Sequence, residues 1–186
     1  MKNLLRDPAF CKLLEKVDSD LTAKVQNQGC PYCSGVLHRG DYQRKPRGGP
    51  DWDRRYSLCC SRDGCRKRMT PPSVRFLGRK VYAAVVVILL SAMMYGLQKK
   101  RVKRLQDELG IDRRTLNHWR TWWKETFVHS AFWKAKRSLF RRPVDTETIP
   151  LGLVKVFAAQ NSQGLLKLLF FLSPITTHSC QEVPAL

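Results

Sequence analysis

The chain has 186 residues, 43% of them hydrophobic, which is enough for one core or two small ones. Its 34 Lys and Arg against 15 Asp and Glu give a net charge of +19. The excess is concentrated: residues 1–143 carry 32 basic and 12 acidic side chains, whereas from Val144 onward the net charge is −1. A positive field this dense attracts polyanions, by steering and by counterion release from phosphates. The seven cysteines are odd in number and clustered, which argues against a secreted disulfide framework. Met1 to Pro8 has no apolar leader region. A reducing, cytoplasmic setting with metal-binding cysteines is therefore expected.

Residues 1–28 read as an N-terminal helical segment. Asp7 is placed to cap it, with Pro8 at the first helical position. Phe10, Leu13, Leu14 and Val17 then form an apolar stripe. Helix-start signals return at Asp18-Ser19-Asp20, which admits a second short helix beginning there. Residues 29–69 lose the helical period. Gly35-Val36-Leu37-His38, Tyr42-Gln43-Arg44 and Arg55-Tyr56-Ser57-Leu58 read as short strands, with a turn at Arg39-Gly40-Asp41 and a loop at Arg47-Gly48-Gly49-Pro50.

Thr70-Pro71-Pro72-Ser73 reads as a stiff linker and module boundary, opening a helical domain over residues 70–133. Within it, Val81 to Leu97 is a run of 17 nearly apolar residues. As a helix it would span about 25 Å, short of a hydrocarbon core of about 30 Å. Both flanks are basic, so charge gives no membrane orientation. A buried helix is expected instead. Tyr82, Val85, Val86, Leu89, Leu90, Met93, Met94 and Leu97 make its bulky face; Ala83, Ala84, Ser91, Ala92 and Gly96 make a small one. Residues 134–186 form a C-terminal helical segment. It opens on a basic junction, has an apolar helix at Leu165–Leu172, and is expected to cover the apolar helix or mediate self-association.

Cys30-Pro31-Tyr32-Cys33 is a CxxC knuckle, whose spacing lets both sulfurs face one ion. Cys59, Cys60 and Cys65 then compete for two further places. Gly64 suits a knuckle turn before Cys65, and in a strand Tyr56, Leu58 and Cys60 share a face, which selects Cys60 over Cys59. The expected ligands of one Zn²⁺ per chain are Cys30, Cys33, Cys60 and Cys65, with His38 as the stand-in for any cysteine that does not bind. Four thiolates close the coordination sphere, so the ion is expected to be structural. The 26 residues between Cys33 and Cys60 make a long loop, but closure entropy grows slowly with length. A redox CxxC would sit on a βαβ pattern, which the sequence lacks.

Val102 to Arg120 reads as helix, glycine turn, helix. Gly110 falls where a left-handed backbone is needed, Ile111 plugs the turn, and Asp112 is the next N-cap. Leu116, Trp119 and Trp123 share a face that would pack on Leu105, Leu109 and Ile111. Trp119, Trp122 and Trp123 are accordingly read as packing groups rather than stacking platforms. The candidate DNA-binding residues lie elsewhere on this helix: Arg113, Arg114, Thr115, Asn117, His118, Arg120, Thr121 and Lys124. Arg pairs bidentately with guanine and Asn with adenine in a major groove. Lys99, Lys100, Arg101, Lys103 and Arg104 are better placed for phosphates.

The CPYC knuckle, the second cysteine group and the segment LGIDRRTLNHWR together resemble the N-terminal half of bacterial insertion-sequence transposases, over residues 29–125. The motifs are generic among such elements. The resemblance implies recognition of element ends or of a promoter, with double-stranded DNA as partner. Transposases of the DDE type continue into an RNase H-like nuclease domain. Here the 61 residues after Glu125 offer only Asp145, Glu147 and Glu182 as acids, with no sheet expected to hold them, so no catalytic residue is expected.

The expected fold is thus mainly α: a helix-turn-helix unit with a small β-rich zinc ribbon. The expected role is that of a nucleoid-associated, non-enzymatic DNA-binding protein. It would be a mobile-element accessory protein, a truncated transposase or a transcriptional regulator. A separate transposase or nuclease, and a second copy of the chain, are the protein partners this implies. Two rivals stand beside it. An RNA-binding zinc-ribbon protein would not require B-form duplex, as a major-groove helix does. A membrane-tethered basic protein would pellet with membranes.

Overall fold

The first 21-residue helix, α1 (Pro8–Gln28), starts where the sequence places it. The Asp7 carboxylate accepts from the Ala9 N–H at 2.9 Å, and Gly29 ends the helix at φ 74°. The computed structural model describes residues 7–44, 53–77, 82–94, 103, 107 and 110–177. They fall into two units, one reaching to Ala84 and resuming at Leu169, the other Val85–Leu168.

In the first unit α1 is one helix rather than two. Asp18 does not start a second helix; it lies in the buried face made by Phe10, Leu14, Asp18, Thr22 and Val25. The apolar stripe is therefore displaced from the expected one: Leu13 is 42% exposed and Val17 half-buried. A charged residue occupies a core position, so hydrophobicity alone misplaces the face.

Five short strands come next in the chain: β1 (Leu37–Arg39), β2 (Tyr42–Arg44), β3 (Asp53–Arg55), β4 (Leu58–Cys60) and β5 (Arg68–Met69). β1 and β2 do not pair with each other. β1 pairs antiparallel with β4, Leu37 opposite Cys60, and β2 pairs antiparallel with β3, Tyr42 opposite Arg55. The strand expected at 55–58 is split at Tyr56-Ser57. There the Gly40 N–H donates to the Ser57 carbonyl at 2.8 Å, and the Ser57 N–H donates to the Asp41 carboxylate at 3.0 Å. β5 completes a sheet in the order β1-β4-β5. One face of this sheet packs Leu37, Leu58, Cys60 and Met69 against Val25 of α1 and Cys30. The Gln26 side-chain amide donates to the Leu37 carbonyl at 3.0 Å and fixes helix to sheet.

Thr70-Pro71-Pro72-Ser73 is not an exposed linker, because residues 71–77 are all buried. Asp18 organises them. It accepts from Ser73 Oγ at 2.5 Å, the Val74 N–H at 2.6 Å and Arg75 Nε at 2.9 Å. Arg75 also pairs with Asp53 and donates to the Arg54 carbonyl at 2.8 Å. Its guanidinium lies 5.0 Å from the Tyr56 ring and 5.3 Å from the Phe76 ring. The C-terminal segment joins in through Thr176, whose Oγ1 accepts from the Ser73 N–H at 2.9 Å.

The second unit is helical among its described residues. α2 (Ala84–Met93) is buried from Ala84 through Ala92, as its all-round apolar composition requires. Among the described residues no helix is long and apolar enough to cross a membrane. α3 (Arg113–Thr121) runs into a π-helical turn, Trp122–Phe127, and then α4 (Ala131–Lys136), which Ser130 caps by accepting from the Trp133 N–H at 3.1 Å. The sequence reads as helical as far as about Trp133, and the π turn and the break at Ser130 fall within that stretch. The wider turn lets Trp122 and Phe127 meet at 5.8 Å, while Trp123, Phe127 and Trp133 are buried together. The short 3₁₀ turn Thr146–Thr148 precedes α5 (Leu151–Val156), and α6 (Ser162–Leu172) contains the expected apolar helix. The architecture is mainly α-helical, with small β ribbons that carry the cysteine cluster.

Candidate functional site

The fold gathers Cys30, Cys33, Cys60 and Cys65, and their sulfurs all lie within 4.8 Å of one another. Cys30 and Cys65 are 3.7 Å apart, Cys33 and Cys60 3.4 Å. Four sulfurs at about 2.3 Å from a tetrahedral Zn²⁺ sit about 3.8 Å from each other, so the cluster fits one zinc ion.

The two half-sites are built alike. In the first, the Cys30 N–H donates to the Gly35 carbonyl at 2.9 Å and the Ser34 N–H to the Cys30 carbonyl at 2.7 Å. In the second, the Cys60 N–H donates to the Lys67 carbonyl at 3.0 Å and the Cys65 N–H to the Arg62 carbonyl at 2.9 Å. The residue after each closing cysteine, Ser34 or Arg66, has positive φ (56° and 45°). Each knuckle thereby turns its backbone N–H groups toward sulfur.

Those N–H groups, burial and the neighbouring thiols together set the thiol acidities. Burial raises Cys30, but the N–H groups of Tyr32 and Cys33 and the neighbouring thiols bring it down to about 7. The Arg62 N–H pulls Cys60 down, but burial and the Cys33, Cys30 and Cys65 thiols push it up to about 12. Without a cation, four thiolates cannot coexist at this spacing; a divalent ion is the charge that lets all four ionise.

Strand alternation separates Cys60 from Cys59. Cys60 is fully buried toward the cluster, whereas Cys59 stands on the opposite face, in register with His38 of β1 and Arg68 of β5. His38 is exposed there and takes no place among the ligands. Cys11 is half-buried on α1, and Cys180 lies outside the described residues.

Gly35 was not singled out by sequence, yet it closes the site. A Cβ there would lie 3.0 Å from the Cys60 sulfur and 3.3 Å from that of Cys33. We expect Gly35→Ala to weaken zinc binding by about tenfold, in the range of groups that support a metal site from behind its ligands. Competition against a colorimetric chelator measures it. Unchanged affinity in a folded variant would mean that the sulfurs tolerate displacement.

The second candidate surface is α3. Gly110 has φ 59°, and Ile111 is buried. The Asp112 carboxylate accepts from the Thr115 N–H at 2.8 Å and from the Thr115 hydroxyl at 3.0 Å. The same N–H bond, with the hydroxyl, holds the Asp112 carboxyl below its usual range. Leu116, Trp119 and Trp123 are buried; Arg113, Arg114, Asn117, His118, Arg120 and Thr121 are exposed. Two expected contact residues are otherwise engaged. The Thr115 hydroxyl bonds to the cap, and Lys124, on the π turn, pairs with Glu147 at 3.5 Å. Lys103 is helical and exposed, while Lys99, Lys100, Arg101 and Arg104 lie outside the described residues, as do Leu105 and Leu109. No protein-family model, curated protein or solved structure matches the chain, so the likeness to insertion-sequence transposases rests on motifs alone, beside a helical fold with a zinc-ribbon-like cysteine cluster.

Proposed function

We propose that the protein binds double-stranded DNA through α3, with the zinc ribbon as a structural support, as an accessory or regulatory protein of a mobile element. The observation that carries this reading is the two-sidedness of α3. Its capped N-terminus and its exposed Arg113, Arg114, Asn117 and His118 lie opposite a buried Leu116–Trp119 face. These are residue types that read base edges, at the end of a helix that enters a major groove. The net +20 over residues 1–143 supports a phosphate contribution as well. Four thiolates leave zinc no open position, so in this reading the chain is not an enzyme, and strand chemistry would come from a separate transposase or nuclease.

The test is a binding assay on a selected site and a scrambled duplex, with a single-stranded competitor. Arg114→Ala or Asn117→Ala is expected to lose about 1–3 kcal/mol on the selected site and much less on the scrambled one. If about six phosphates are neutralised, the log–log salt slope is expected to be roughly −5. Equal losses on both duplexes would reduce α3 to an electrostatic clamp. No loss on either, or preference for the single strand, would remove the reading.

A further inference from the structure

We propose a second anion site in the Val85–Leu168 unit: the cleft between the π turn, α4 and the 3₁₀ turn Thr146–Thr148 binds a nucleotide phosphate. The cleft measures about 420 Å³, and Lys124, His129, Trp133, Lys134, Arg137 and Glu147 are among the residues that line it. Clefts that take small ligands run from about 300 to 1,000 Å³, so this one is larger than a phosphate needs and suits a nucleotide.

Its charge is one-sided. Lys134 and Arg137 are three residues apart and exposed, so they reach the cleft side by side. His129 adds a third nitrogen donor, and Lys124 a fourth from the π turn. The one carboxylate is Glu147, and it already sits 3.5 Å from Lys124. A carboxylate of the chain thus occupies the place that a bound anion would take. Glu147 is 82% exposed and Lys124 35%, and ion pairs this open are weak enough for a doubly charged phosphate to displace. Trp133 contributes an apolar wall, and its buried indole N–H has no acceptor among the described residues. The shared chemistry is a phosphate on a nucleotide, free or within a bound strand. Neither case depends on base reading by α3, so failure of one proposal is distinguishable from failure of the other.

The test uses the full-length, zinc-loaded protein with two probes: adenosine 5′-monophosphate by calorimetry, and a short duplex by fluorescence anisotropy. The variants are Lys134→Gln/Arg137→Gln and Glu147→Gln. The double variant is expected to weaken binding of the occupying ligand by about tenfold, the range of two solvent-exposed charge pairs lost together. Glu147→Gln is expected to strengthen it by about threefold, by removing the competing carboxylate. If adenosine 5′-monophosphate responds this way, and Arg114→Ala does not alter it, the occupant is a free nucleotide. If only the duplex responds, with the salt slope of the double variant shallower by about two, the occupant is a strand phosphate. If both variants leave both probes unchanged, the proposal fails. The gain expected of Glu147→Gln cannot be mimicked by a variant that folds poorly.

Discussion

Removing zinc is expected to unfold the ribbon, and Cys60→Ser should reproduce that loss while Cys59→Ser does not. β1, β3 and β4 each have three residues and β5 has two. Strands this short are not independently stable. The core above them is small as well, made of Val25, Cys30, Leu37, Leu58, Cys60 and Met69. Two of those six are zinc ligands, so the metal is part of the core rather than an addition to it. Structural zinc in comparably small modules supplies about 10–16 kcal/mol of folding free energy. Cys60→Ser removes a fully buried ligand, whereas Cys59 faces away from the cluster. Elemental analysis should give one zinc per chain. Circular dichroism before and after chelation, and after zinc is restored, then tracks the ribbon. Because thiolates bind the metal and protons compete for them, retention of zinc should fall as pH drops below neutrality. A metal-free protein with an unchanged spectrum would overturn the assignment, and a severe Cys59→Ser with a mild Cys60→Ser would exchange the two ligands.

The metal site was legible because its rules are local. A two-residue spacing makes a knuckle, and strand alternation chooses between adjacent cysteines. The start of α3 was legible for the same reason: Gly110 has positive φ, Ile111 is buried and Asp112 caps the helix. Contacts between residues distant in sequence escaped. Asp18 looks like a helix start when only its neighbours are considered. Its bonds to Ser73 and Val74 span 55 and 56 positions. The Pro-rich segment looks like a linker because prolines punctuate exposed chain. Yet Arg55 donates to the Pro71 carbonyl at 2.6 Å, and Asp18 holds Ser73, Val74 and Arg75 just beyond it. By helical spacing Lys124 falls among the candidate DNA-binding residues, but its partner Glu147 comes from a separate turn. The π turn escaped because periodicity does not encode it; around it Phe127 packs on both Trp123 and Trp133.

Arg75→Met is expected to destabilise the first unit by about 3–5 kcal/mol near neutral pH, the cost of breaking a buried ion pair from one side. Arg75 is 7% exposed and Asp18 fully buried, with Asp53 at 9%. Methionine fills much the same volume, so the loss is electrostatic rather than a cavity. The pH dependence separates the two causes. Burial already raises the Asp53 pKa, and Arg75 opposes that rise. Without Arg75 the folded-state pKa of Asp53 climbs further above its unfolded value. A carboxyl raised in this way binds more protons folded than unfolded, so its penalty grows as pH rises from the unfolded toward the folded value. The Arg75→Met deficit relative to wild type should therefore shrink from pH 7.5 to the lowest pH at which the protein still holds its zinc. Asp18→Ala behaves otherwise. It leaves the Ser73 hydroxyl and the Val74 N–H without their acceptor, and no proton can replace a lost acceptor, so its deficit should stay nearly constant over the same interval. Urea unfolding of zinc-loaded wild type and both variants at the two pH values measures these differences. A deficit for Arg75→Met below about 1 kcal/mol at both pH values would mean that the buried network contributes nothing that the surrounding packing does not already supply.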